Sequence, residues 1–235
     1  MFSGITFDGK HSYKDFGLTI SHRNIGYPSK IKRQERVPYS NEIYDFSGIY
    51  GDQEYEERLL TYMFNNVNTQ GNDKFLIKAT EYLNWLMKPS TKVKLTDDRL
   101  PGYYFLAEVV NAPSYEYIAI LGEMTIQFTA YPFKISELEE GHDIWDEFNF
   151  LLDYAQTTEI EVAGSKEITL YNPGVTMVRP RIVASSEMTI TKGNTIFNVP
   201  TGESESFDFV LSKGENKMTV SGNGKISFHF RKELI

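Results

Sequence analysis

Across residues 37–64, VPYSNEIYDFSGIYGDQEYEERLLTYMF, apolar and polar positions alternate in two runs around a glycine-punctuated turn. Tyr44 and Phe46 share one face of the first run. Leu60, Tyr62 and Phe64 share one face of the second, which is the period of a half-buried strand. Ser47-Gly48 and Gly51-Asp52 supply the permissive backbone between them, so this stretch reads as two strands around one turn. Upstream, residues 4–7 and 18–21 are short extended pieces around Asp8-Gly9. Downstream, residues 73–88 switch to helical period, with Phe75, Leu76, Ala79, Leu83 and Leu86 on one stripe and Tyr82 and Trp85 at its edge. Asp73 sits near the N-cap, Lys88 at the negative end, and Pro89 stops the helix. Four strands are predicted next, at 91–95, 103–110, 116–120 and 123–131, separated by turns such as Pro101-Gly102 and Leu121-Gly122.

The pattern then becomes ambiguous. Residues 136–157 open with a capping box, Ser136 and Glu139, which Gly141 weakens. Helical and strand periods compete after it, and the preferred reading is one helical turn near 143–147 followed by a strand. From residue 158 short strands recur at 159–163, 166–171, 177–184, 188–191, 195–199, 206–211, 217–221 and 225–231. Gly164-Ser165, Pro173-Gly174, Gly193-Asn194 and Gly222-Asn223-Gly224 are read as the turns. The fold class is therefore mainly β. An α+β N-terminal domain with one principal helix spans residues 1–135, a connector and first strand 136–157, and a jelly-roll-like β-sandwich 158–235.

Composition sharpens this picture. The chain has 235 residues, 15 Tyr and 16 Phe, which suit strands and interfaces, and no Cys. No disulfide framework or thiol nucleophile is available. No apolar run approaches the ~18 residues that cross a bilayer. The net charge is −8 and unevenly spread: residues 1–135 carry 15 Lys+Arg against 16 Asp+Glu, and the remainder 9 against 16. An acidic surface repels nucleic-acid backbones, which argues against sequence-specific nucleic-acid binding. The near-neutral first half suits self-association. Within it, KIKRQER at 30–36 reads as an exposed basic arm reaching a neighbour, or else as ordinary intramolecular sheet.

Candidate chemistry is sparse. Residues 4–10, GITFDGK, match a phosphate-loop spacing, but His11 stands where Ser or Thr is needed and no strand–helix context surrounds it. Glu139, Glu140, His142, Asp143, Asp146 and Glu147 form an acidic run better read as a solvated linker than as a metal site. The four histidines, His11, His22, His142 and His229, lack metal spacing, and no hydrolase elbow is present. No catalytic residue, cofactor or metal is expected.

Several segments carry a resemblance. DFGL at 15–18, the 37–58 stretch, a helix ending WLMKP, IWDEFNF at 144–150, LYNPG with RPRI at 170–182, and SGNGKISFHFRKE at 221–233 occur in an order that resembles the distal tail protein family of long-tailed bacteriophages. That resemblance implies a structural virion protein at the tail tip, a homo-hexameric ring closed by the N-terminal domain with a galectin-like sandwich outside it. Its implied partners are the major tail tube protein, a tail-associated tail-tip protein and a receptor-binding protein, with the genome passing through the ring. It implies no membrane contact. Beside it stands the expectation that Lys32, Arg33, Arg36, Tyr44 and Phe46 contribute to the subunit interface. The other readings are a carbohydrate-binding module and a cell-wall hydrolase.

Overall fold

The computed structural model describes residues 3–49, 51–66, 72–111, 114–118, 121–144 and 148–235. The chain is mainly β and divides into two compact units, one running to Lys134 and joined by Ile235, the other from Ile135 to Leu234.

In the first unit the strands are β1 (Ile5–Phe7), β2 (Lys10–His11), β3 (Leu18–Ile25), β4 (Gln34–Arg36), β5 (Ile43–Asp45), β6 (Arg58–Asn66), β7 (Val93–Asp97), β8 (Tyr103–Glu108), β9 (Ser114–Ile118) and β10 (Leu121–Ala130). Seven of them form an antiparallel sheet in the order β2-β1-β7-β8-β10-β6-β3, with β9 also on β10. One residue in two along these strands faces the core: Ile5 and Phe7, Leu60, Tyr62 and Phe64, Phe105 and Ala107, Ile126, Phe128 and Ala130. Each large side chain so buried contributes on the order of 1.5–3 kcal/mol. Asp8-Gly9 makes the β1–β2 hairpin, both residues at positive φ. The phosphate-loop match therefore lies in a hairpin with no helix behind it.

Helix α1 (Asn72–Met87) covers this core. Its buried stripe is Ala79, Tyr82, Trp85 and Leu86, with Leu83 at the margin. The side chains of Asp73, Phe75 and Leu76 lie outside the described residues. Tyr82 and Trp85 move from the expected edge to the centre because their polar atoms find buried acceptors. The Tyr82 hydroxyl donates to Phe16 O at 3.1 Å and Trp85 Nε1 donates to Phe7 O at 2.9 Å.

β11 (Lys134–Ser136) begins on the last residue of the first unit's main run, and the second unit contains β12 (Glu159–Asn172), β13 (Arg181–Ala184), β14 (Met188–Lys192), β15 (Thr195–Val199), β16 (Gly202–Ser204), β17 (Gly214–His229) and β18 (Glu233–Leu234). The two glycine signals read as turns are not turns. β12 and β17 each run straight through them, paired in register from Glu159↔Ser227 to Asn172↔Gly214, so Gly164 faces Gly222. Gly164, Gly222 and Gly224 all have positive φ. They bend the ribbon without ending it. One edge of β17 can then serve β14 at residues 219–221 and β13 at 226–229, while both halves send the same face into a single core around Leu170, Val220, Ile226 and Phe228. A Cβ on Gly222 would stand 2.9 Å from Met188 Cγ, so the bend also admits a close neighbour.

Three further expectations are corrected. The strand expected at 206–211 reduces to a bridge between Leu211 and Val178, and pairing is taken by β16 instead. The strand expected after residue 147 does not form; residues 145–147 lie outside the described residues, and 150–152 make a turn. Asn149 Oδ1 accepts from Leu151 N at 3.0 Å and Asp153 Oδ2 accepts from Asn149 N at 2.7 Å, so local side-chain bonds outcompete a ladder that has no partner. Finally, β5 pairs with β4 and not with β6.

Candidate assembly interface

The β3–β6 pair does not stop where the sheet stops. Gly26 N donates to Leu59 O, Glu56 N to Ser29 O, and Ile31 N to Glu54 O, which carries a two-stranded stalk onward from the sheet. Beyond the stalk, β4 and β5 form a separate two-stranded hairpin, Gln34↔Asp45 to Arg36↔Ile43. The register continues on both sides, with Phe46 N donating to Arg33 O and Val37 N to Glu42 O. All six residues of β4 and β5 are exposed. The basic run thus forms an arm.

Alternation along that register sorts its side chains. Arg33, Glu35, Val37, Glu42, Tyr44 and Phe46 share one face; Lys32, Gln34, Arg36, Ile43 and Asp45 share the other. The structure places all five of the residues singled out from the sequence on the arm, but not on one face. Tyr44 and Phe46 lie together, ring centroids 6.3 Å apart, at 58% and 43% exposure. Lys32 pairs with Asp45 at 2.7 Å across the opposite face, and that bond, with those from Ser47, holds the Asp45 carboxyl well below the usual range. Arg33 binds Glu54 at 2.7 Å. Arg36 makes no ion pair among the described residues. Tyr39 at the tip is fully exposed with φ 60. Exposed ion pairs of this kind contribute ~0–1 kcal/mol, so the arm is held by its ladder and presents its rings to solvent.

The root of the arm is built differently. Arg58, the first residue of β6, is 2% exposed, and its guanidinium carbon lies 5.2 Å from the Phe105 ring and 5.8 Å from the Tyr27 ring. Among the described residues its Nε has no hydrogen-bond partner and no carboxylate pairs with it. Lys134, half-buried, sits with Nζ 5.4 Å from the Tyr103 ring and close enough to Arg58 to feel its charge. Burial pulls both cations below their ordinary values, with the neighbouring Arg58 adding to the effect at Lys134. The sequence reading missed this pair. The signal was present, since Arg58 lies in phase with Leu60, Tyr62 and Phe64 on the buried face.

The acidic run has another arrangement. Glu139 receives a hydrogen bond from the His229 ring at 2.8 Å and faces Arg231 at 3.6 Å. Glu140 is buried near Lys232, which also pairs with Asp153, and burial raises its carboxyl. The solvated linker expected here holds a buried ion pair instead. Asp146 and Glu147 lie outside the described residues. Among the described residues no group of three or more potential ligands could hold a metal ion, and no helix is long and apolar enough to cross a membrane.

Neither a protein-family model nor a curated protein matches the chain. A solved structure does: that of SPP1 Dit (gp 19.1), described as a paradigm of the hub adsorption apparatus in phages infecting Gram-positive bacteria. The similarity covers 98% of this chain and 99% of that one, at a TM-score of 0.65 and 14% identity. The chain has the Dit fold. At that identity the likeness is in the path of the backbone.

Proposed function

We propose that the chain is a structural subunit of a phage tail tip. In this reading six copies close into a ring at the distal end of a long tail, joining the tail tube to the adsorption apparatus around a channel for DNA, with a galectin-like unit outward. The Dit fold over nearly the whole chain supports the tail-hub assignment. The observation that carries self-assembly is the arm: a hairpin extending past its sheet with Tyr39, Ile43, Tyr44 and Phe46 in solvent. A stable ring contact buries more than ~2,000 Å² with an apolar centre, and exposed rings on a rigid ladder are suitable material. The role is mechanical, not catalytic.

Negative-stain imaging tests this reading. Sixfold rings with a central hole are expected, and monomers alone, with or without tail partners, would refute it. Changing Lys32, Arg33 and Arg36 together to Glu is expected to shift the oligomer toward monomer on gel filtration. Elution unchanged from wild type would remove those residues from the interface.

One observation favours a second reading, a carbohydrate-binding module. Tyr154 stacks on Tyr171 at 4.4 Å beside an open groove of about 710 Å³ whose lining includes Gln156, Glu161 and Lys166. Binding of the full chain on a glycan array would support it; no binding would leave the groove structural. Neither tryptophan contributes to the groove among the described residues, since Trp85 is buried in the other unit and Trp145 lies outside them.

A further inference from the structure

Arg58 is anomalous in energetic terms. A buried cation with no carboxylate costs several kcal/mol, which two cation–π contacts offset only in part. A second cation, Lys134, lies over the Tyr103 ring, two residues along β8 from the Phe105 ring that Arg58 covers, and among the described residues neither cation has an ion-pair partner. The ring that covers the guanidinium is Tyr27, itself 80% exposed and one residue beyond Gly26, where the arm leaves the sheet. The root of the arm is therefore a covered pair of cations walled by aromatic rings.

The arm carries the complement. On the face that holds Tyr44 and Phe46, the register sets Glu35 directly opposite Tyr44 and Glu42 two residues further along. Among the described residues neither glutamate forms an ion pair. Rings with unpaired carboxylates at one end of the arm thus match rings with unpaired cations at its root. Tip and root cannot meet within one chain, because the stalk holds them apart. Between copies, a meeting of these two surfaces would be head to tail, the type of contact that closes rings.

We propose that Arg58 and Lys134 form a carboxylate-accepting site at the root of the arm, filled by Glu35 and Glu42 on the arm of a second copy. The site rests on the ring-forming reading above and adds to it the residue chemistry that sets direction around the ring. Arg58 presents a planar fork suited to a carboxylate, and docking of the arm displaces the Tyr27 ring and excludes water from the pair. Charges paired in such a dry setting govern which surfaces meet.

A charge exchange in the full-length chain tests this, read by sedimentation equilibrium. Glu35→Lys with Glu42→Lys changes only exposed residues and leaves folding intact; it is expected to weaken self-association by about tenfold or more, and Lys134→Glu to do the same. Combining all three substitutions is expected to restore much of the loss. A combined variant no tighter than either parent, or parents that associate like wild type, overturns the site while leaving the ring reading in place. A wild-type protein that is monomeric throughout overturns both. Arg58→Met, placed in the dissociated Glu35→Lys/Glu42→Lys background, supplies a readout of the opposite sign. Removing an unpaired buried charge should raise Tm there, and a fall in Tm would show that Arg58 serves the fold of its own chain and not a partner.

Discussion

The helix-covered core of the first unit and the arm that grows out of the same sheet are made from the same kind of residue. In the core, Phe7 meets Phe128 edge-on at 5.0 Å and Trp85 at 6.1 Å, and Tyr62 meets Phe128 at 5.9 Å, all of them 4% exposed or less. On the arm, Tyr44 and Phe46 make a comparable ring pair in water. Aromatic content therefore does not separate a core strand from an exposed one. What separates them is the neighbour on the other side: β6 lies between β3 and β10 with one face in the buried core, whereas among the described residues β4 and β5 pair only with each other.

The largest expected effect breaks the core side of that contrast. Phe128→Ala removes a fully buried ring and is expected to cost ~3–5 kcal/mol by urea unfolding. Next come the bends of the second unit. Gly224→Ala places a Cβ against Ser185 Oγ at φ +131, and Gly222→Ala meets Met188 at φ +145. Each is expected to cost ~1–3 kcal/mol, measured the same way, whereas a substitution at a true surface turn would be far milder. The arm should respond in the opposite manner to the core. Tyr44→Ala with Phe46→Ala is expected to leave monomer stability within ~0.5 kcal/mol, because those rings are exposed and pack mainly on each other.

The smallest expected effect is electrostatic. Burial opposes the charge on Asp98, but hydrogen bonds from Gly4 N and the His11 ring outweigh it and leave the carboxyl below its ordinary 3.8. A depressed carboxyl contributes stability that is full above the unfolded value and lost as pH falls through the folded one. The stability difference between wild type and Asp98→Asn should thus be present near neutral pH and close below about 3.8. A difference that persists in stronger acid would assign it to packing.

Much of the sheet was legible in the sequence because its strands alternate. β8 and β10 stand where their period placed them, and Pro101-Gly102 turns as expected. The arm's pairing was not legible. Gln34, Glu35 and Arg36 are all exposed, so no apolar alternation marks β4 as a strand, and β5 was matched to the next alternating run instead. Glycine misled for a related reason. A positive φ is needed both to end a strand in a turn and to bend one that continues, and only the partner strand distinguishes the two. Of the proposed interface, the residues of the arm were legible in the sequence, but neither their division between two faces nor the burial of Arg58 without a carboxylate among the described residues was, because both depend on neighbours distant in the chain.

The central claim is that the arm's rings are an assembly surface. Sedimentation velocity of wild type beside Tyr44→Ala/Phe46→Ala tests it most directly. A hexamer is expected for wild type and a folded monomer for the variant. A variant that sediments with the wild-type oligomer would contradict it.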